Sequence, residues 1–185
     1  MNHDHGTLVA PDTIRFERLL PGPIERVWAH LVDPGKRALW LAGGPMPLAP
    51  GGEVELHFRN AELSRDDDPA PEKYRDYENS GEVFGQIVAC DPPRLLVFTW
   101  SDMPGEPEAE DSEVRFTLEA RGEQVLLTLT HARLWSNELL SVAGGWHTHL
   151  GILDDTLSGR EARPFWRTHT RLEAEYAERL GIAAD

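Results

Sequence analysis

Between residues 53 and 132 the chain carries five runs in which apolar and polar side chains alternate: Glu53–Arg59, Gly81–Cys90, Arg94–Trp100, Ser112–Ala120 and Gln124–Ala132. A period of two sends successive side chains to opposite faces of a strand. Val54, Leu56 and Phe58 therefore share a face opposite Glu53, Glu55, His57 and Arg59, and Val114, Phe116 and Leu118 share one opposite Glu113, Arg115, Thr117 and Glu119. Asp91-Pro92-Pro93 and Arg121-Gly122 are turn signals too short for a crossover, so neighbouring strands must run antiparallel. The expected object is a sheet with one wet face and one covered face. Leu95–Trp100 is apolar on both sides and belongs toward its interior, with Leu96, Phe98 and Trp100 on one face.

The cover is supplied downstream. From residue 137 to 158, Leu139, Ala143, Trp146, Leu150, Leu153 and Leu157 follow a 4-3-4-3-4 spacing, one stripe of a long helix stopped by Gly159. Gly144 and Gly145 lie inside it, and each costs about 1 kcal/mol relative to alanine, so a sheet residue or a ligand is expected close to the backbone there. Upstream, Thr13–Leu20 reads as a strand broken by Pro21-Gly22-Pro23. Ile24, Val27, Trp28 and Leu31 then form a helical stripe, and Asp33-Pro34 starts a second short helix carrying Leu39, Trp40 and Leu41. A last helix over 164–180 shows Phe165, His169, Leu172, Tyr176 and Leu180 on one side, with Gly181 as its stop. The fold class is thus α+β: a curved antiparallel sheet of about six strands around a long helix. Residues 1–11 read as a flexible or disordered tail, 12–160 as the domain, and 161–185 as a helical extension packed on the domain or on a partner subunit. The connections 60–80 and 102–111 are long and acidic, either lids or solvated loops.

Composition narrows the function. A net charge of -14 and a sequence pI near 4.9 repel phosphate backbones and anionic lipid headgroups, so neither nucleic acid nor membrane is an expected partner. The N-terminus has no basic segment followed by an apolar run, which points to the cytoplasm. Cys90 is the single cysteine, which excludes an internal disulfide or a multi-cysteine metal site, and it is expected to pack as a small hydrophobe.

The order of strand, two short helices, five antiparallel strands and long helix resembles the START/SRPBCC superfamily, whose helix-grip fold is shared with the birch-pollen allergen. Four segments carry the resemblance further: Pro23-Ile24-Glu25-Arg26-Val27-Trp28, the run from Asp91-Pro92-Pro93 to Trp100, Leu127-Thr128-Leu129-Thr130-His131, and Gly145-Trp146-His147 with Leu150. These look like the bacterial branch named for homologues of the activator of the ninety-kilodalton heat-shock protein ATPase (AHSA-like). The resemblance spans about residues 12 to 160. It implies an apolar cavity between concave sheet and long helix, and Phe58, Phe98, Trp100, Phe116, Trp146 and Leu150 are the side chains expected around it. The same aromatics, at about 150–250 Å² of burial each, would alternatively fill that space.

His131 is in phase with Leu127 and Leu129 and should face inward, as a polar contact for a ligand or as an internally hydrogen-bonded histidine. His147 and His149 are two apart, on opposite sides of a helix, so no metal site is assigned to them. No nucleophile elbow, phosphate-binding loop or metalloprotease motif occurs, and no cofactor or catalytic residue is assigned. The leading expectation is binding of a small apolar or amphipathic ligand. The alternatives are a chaperone-associated or other protein-interaction module, with a homodimer through the last helix among its forms, and a cyclase or dehydratase-like enzyme using His131 as acid or base.

Overall fold

The structure, a computed structural model, describes residues 5–64, 68–77, 81–105, 107–108 and 110–183. Among them, β1 (Thr7–Ala10), β2 (Thr13–Pro21), β3 (Glu53–Phe58), β4 (Gly81–Asp91), β5 (Leu95–Trp100), β6 (Ser112–Arg121) and β7 (Gln124–Ala132) form one antiparallel sheet. The strand order is β1-β2-β7-β6-β5-β4-β3. The described residues also hold four α-helices: α1 (Ile24–Val32), α2 (Pro34–Arg37), α3 (Leu139–Leu157) and α4 (Phe165–Leu180).

Register puts the apolar faces together. Opposite residues share a face, and Phe16 and Phe116 both pair with Leu129, while Ile14 and Val114 both pair with His131. All of these are buried. Curvature comes from a bulge in β4, where Ile87 pairs with Phe98 but Ala89 pairs with Val97, leaving Val88 outside the ladder and exposed. Gly85 lies just before the bulge, and a Cβ there would stand 1.9 Å from the Thr99 carbonyl oxygen, so only glycine permits this approach of β4 to β5.

The concave face is closed by α3, and α4 lies over α3 in turn. A helix between two layers is buried nearly all round, which is why α3 carries buried Thr148, Asp154 and Asp155 as well as its apolar stripe. Asp155 meets that burial with a bidentate pair to Arg163 (Nε to Oδ2 2.7 Å, Nη2 to Oδ1 2.9 Å) and a bond from Arg160. The N-terminal segment ties back to α4, with the Gly6 amide donating to the Tyr176 hydroxyl at 2.6 Å. At the far edge, His57 of β3 exchanges both backbone hydrogen bonds with Gly43, and the Glu55 amide donates to the Pro45 carbonyl.

Several expectations are corrected. Thr7–Ala10, assigned to a tail, make a seventh strand because the chain turns back at residues 11–12 and pairs with β2; Met1 to Asp4 lie outside the described residues. The second helix stops at Arg37, before Leu39, Trp40 and Leu41. The Arg37 side chain is drawn inward and donates to the carbonyls of Leu31, Val32, Ala42 and Gly44, so the following residues turn around it. Cys90 is half-buried at the margin of the core.

The long connection after β3 is also more than a solvated loop, although Asp66, Asp67 and residues 78–80 lie outside the described residues. Leu63 is buried, and 3-10 turns form at Asn60–Glu62 and Glu72–Tyr77. Asp68 accepts from the amides of Trp166 (2.6 Å) and Arg167 (3.0 Å), capping α4 from a distance of nearly a hundred residues. Tyr74 stacks on Trp166 at 5.6 Å and donates its hydroxyl to Glu173 at 2.8 Å. The segment straps α4 down, and none of its described residues lines the site below.

Candidate functional site

The first half of α3 crosses the open end of the sheet where β3 and β5 finish. Ser141, Val142, Gly145, Trp146 and His149 lie on its facing side, at helical spacing. With Phe58 from the end of β3, Trp100 from the end of β5 and Leu41 from the turn after α2, they line an apolar pocket of about 160 Å³ that opens to solvent. Drug-sized ligands occupy about 300–1,000 Å³, whereas an apolar cavity of about 150 Å³ takes one benzene ring. The space therefore matches a single ring or a short branched chain.

Of the residues singled out from the sequence, Phe58, Trp100 and Trp146 form walls of this pocket. Phe98, Phe116 and Leu150 are sealed in the core instead. They fill the middle of the grip: Phe116 meets Trp146 edge-on at 5.8 Å and Trp40 at 6.4 Å, so the sheet and helix touch there and stay apart only at the end.

His131 is fully buried and both ring nitrogens are taken by protein groups. Nδ1 receives the Trp146 indole N–H at 2.9 Å, and Nε2 lies 2.8 Å from the Ser112 hydroxyl, which donates in turn to the Trp100 carbonyl at 3.2 Å. Burial pushes its pKa down to about 3. A neutral ring with no free nitrogen is not equipped for proton transfer, and it lies behind Trp146 and Trp100, which face the pocket. Its geometric effect is to hold the Trp146 indole in place.

The two helix histidines diverge as their spacing requires. His147 turns to Tyr176, His5 and Phe16, whereas His149 turns to Trp40, Phe58 and Phe165. Burial lowers His149 to about 4, partly offset by its bond to the Trp40 carbonyl. Among the described residues no group of His, Cys, Asp or Glu side chains is placed to hold a metal ion.

The adjacent glycines separate too. A Cβ on Gly144 would stand 3.4 to 3.5 Å from His169 and Glu173, in ordinary van der Waals contact with α4. A Cβ on Gly145 would meet nothing beyond its own helix within 4 Å, because it would point into the pocket.

The family model described as "Activator of Hsp90 ATPase homolog 1-like protein" matches residues 21–158, three quarters of the chain. The chain belongs to this family. Among solved structures, the chain is similar to the protein encoded by BPP1335 of Bordetella parapertussis, at 48% identity and a TM-score of 0.77, over 95% of this chain and 90% of that one. It is also similar to CalU16 from Micromonospora echinospora, at 25% identity and TM-score 0.64, over 90% of this chain and 86% of that one. DynU16, from the dynemicin biosynthetic locus, shares the fold at 23% identity and TM-score 0.62, over 84% of this chain and 51% of that one. No curated protein matches. The α+β helix-grip architecture read from the strand and helix pattern is that of this AHSA-like family.

In this AHSA-like chain the matched region includes every wall of the pocket, from Leu41 to His149. Sequence reasoning missed Leu41, Ser141, Val142 and His149 as walls. For His149 a signal existed: it falls three positions after Trp146 and four after Gly145, on the same helical face. No helix among the described residues is long and apolar enough to cross a membrane.

Proposed function

We propose that this protein binds a small, predominantly apolar molecule, of about one ring, in the pocket beneath Trp100 and Trp146. Gly145 carries this reading. A glycine inside a helix costs about 1 kcal/mol relative to alanine, and a close protein neighbour is the usual reason to keep one. A Cβ on Gly144 would sit in ordinary contact with α4, whereas one on Gly145 would enter the pocket, so the space left by its missing side chain serves an occupant from outside the chain. The apolar walls and the depth of burial of Trp146 and His149 support the same reading.

Toluene is the simplest probe, followed by thermal unfolding and by the indole resonances of Trp100 and Trp146. Saturating toluene is expected to raise the melting temperature and shift both indoles. Gly145→Leu should fill the pocket and abolish those effects while leaving the fold at least as stable, since leucine is a better helix former. A wild-type protein indifferent to saturating toluene would remove the proposal.

The family description supports a second reading, docking on an Hsp90-type ATPase in the cytoplasm. The acidic charge suits a basic partner patch. Salt-dependent association with the host chaperone in a calorimetric titration is the expected sign, and its absence counts against this reading.

A further inference from the structure

His149 holds a hydrogen-bonding capacity that no described protein group uses. Its Nδ1 lies 2.7 Å from the Trp40 carbonyl oxygen, and a carbonyl can only accept, so Nδ1 carries the hydrogen. Burial keeps the ring neutral at ordinary pH, with its pKa lowered to about 4. In that tautomer Nε2 is a lone-pair acceptor. No described residue donates to it, and the rings packed around His149 belong to Phe58 and Phe165, which have nothing to donate. The contrast with His131 is direct, since there both nitrogens are matched inside the protein. The side chain is only 5% exposed, and the open space beside it is the pocket, so Nε2 meets its partner there.

Two of the pocket's side-chain donors are committed within the protein, while the indole N–H of Trp100 has no partner among the described residues. Trp146 gives its N–H to His131, and the Ser141 hydroxyl donates to the Glu138 carbonyl of its own helix. What remains for a guest is acceptor capacity at His149 Nε2 and at the Ser141 oxygen, beside the indole N–H of Trp100.

We infer that the molecule bound in this pocket is a ring-sized apolar body bearing one hydrogen-bond donor, a hydroxyl or N–H, which it gives to Nε2 of His149. The inference rests on the pocket being a ligand site and adds the class of ligand and the residue that selects it. A phenol fits the class. An ether or aldehyde of the same size has no hydrogen to give to Nε2.

Phenol and toluene are near-isosteric and separate the possibilities by calorimetric titration of the full chain at neutral pH. In a pocket without an acceptor, burying the unpaired hydroxyl should leave phenol on the order of tenfold weaker than toluene. The inference expects phenol to bind as tightly as toluene or tighter. His149→Phe should invert the order, and because that change also removes the bond to Trp40, the imidazole nitrogen resonances of the unaltered protein give an independent check. Phenol, but not toluene, should move the Nε2 resonance of His149 to lower frequency. Toluene binding with phenol weaker by tenfold or more, or a His149 Nε2 resonance unmoved by bound phenol, would overturn this inference and leave the apolar pocket standing. Failure of both molecules to bind would overturn the two together.

Discussion

The indole N–H of Trp146 donates to Nδ1 of His131 at 2.9 Å, and since an indole nitrogen can only donate, the bond fixes His131 as the Nε2–H tautomer. A fixed relay of hydrogen bonds follows, from His131 Nε2–H to the Ser112 hydroxyl and from that hydroxyl's own hydrogen to the Trp100 carbonyl. Two of the three pocket aromatics are held at the ends of this relay, Trp146 by its side chain and Trp100 by its backbone. His131→Ala should therefore destabilise the fold by about 2–4 kcal/mol, the sum of a buried void and an unpaired indole N–H. Chemical denaturation measures the loss, and a change below about 0.5 kcal/mol would show that the relay is dispensable.

Acid should unfold this protein early. Burial lowers His131 and His147 to about 3 and His149 to about 4, each from an ordinary 6.5, so in the window between these values the unfolded chain binds protons that the folded chain refuses. The stability due to each neutral ring is complete above the unfolded value near 6.5 and is lost as pH falls toward the folded value. Three such groups give a slope of about 4 kcal/mol per pH unit once all are titrating in the unfolded state. The melting temperature should be flat between pH 7 and 8 and fall steeply below about pH 6. A profile flat down to pH 4 would contradict the burial of these rings.

Asp68 caps α4 across the fold, and its removal has a local reading. Asp68→Ala should cost about 1 kcal/mol and raise amide exchange in the first turn of α4, around Trp166 and Arg167. Asp68→Asn, which keeps an acceptor oxygen, should recover most of that protection. Equal exchange in all three proteins would mean that the strap does not hold the helix.

Arg37 is the largest charged group in the core apart from Arg18, and burial lowers its pKa to about 10, still charged at neutral pH. Arg37→Met keeps the volume but strands the carbonyls of Leu31, Val32, Ala42 and Gly44. A loss of roughly 3 kcal/mol or more is expected, with Trp40 and Leu41 released from their packing. Since Leu41 is a wall of the pocket, toluene binding should weaken in parallel, which a titration of the variant detects.

The periodic elements were legible. Strand runs from Glu53 to Ala132 and the stripe of α3 follow from spacing alone, because burial of one face imposes it. β1 escaped because only Leu8 of its four residues is half-buried, so pairing with β2 and not an apolar period makes it a strand. The residues from Leu39 to Leu41 were misassigned because the helix is ended by the hydrogen bonds of Arg37, which no local pattern announces. For the site, alternation told that Phe58, Phe98, Trp100 and Phe116 face inward but not which of them lie where α3 touches the sheet. That depends on the crossing of α3 over the sheet, and the crossing leaves Phe98 and Phe116 sealed and Phe58 and Trp100 on open space. The orientation of His149 depends on a carbonyl 109 residues away, beyond the reach of any spacing rule.

The exchange of backbone bonds between Gly43 and His57, with Pro45 receiving the Glu55 amide, has a bearing on colloidal behaviour. An open seven-stranded sheet has two rims at which another chain can add a strand, the usual starting point of fibrillar aggregation. One rim here is shielded by the chain that precedes β3, and the other is the four-residue β1, with its register interrupted between Leu8 and Ala10. Among the described residues neither offers the long flat row of unpaired amides that templated growth needs, so a twisted sheet that leaves one end of its interior open to a guest molecule presents only a short, interrupted edge to a copy of itself.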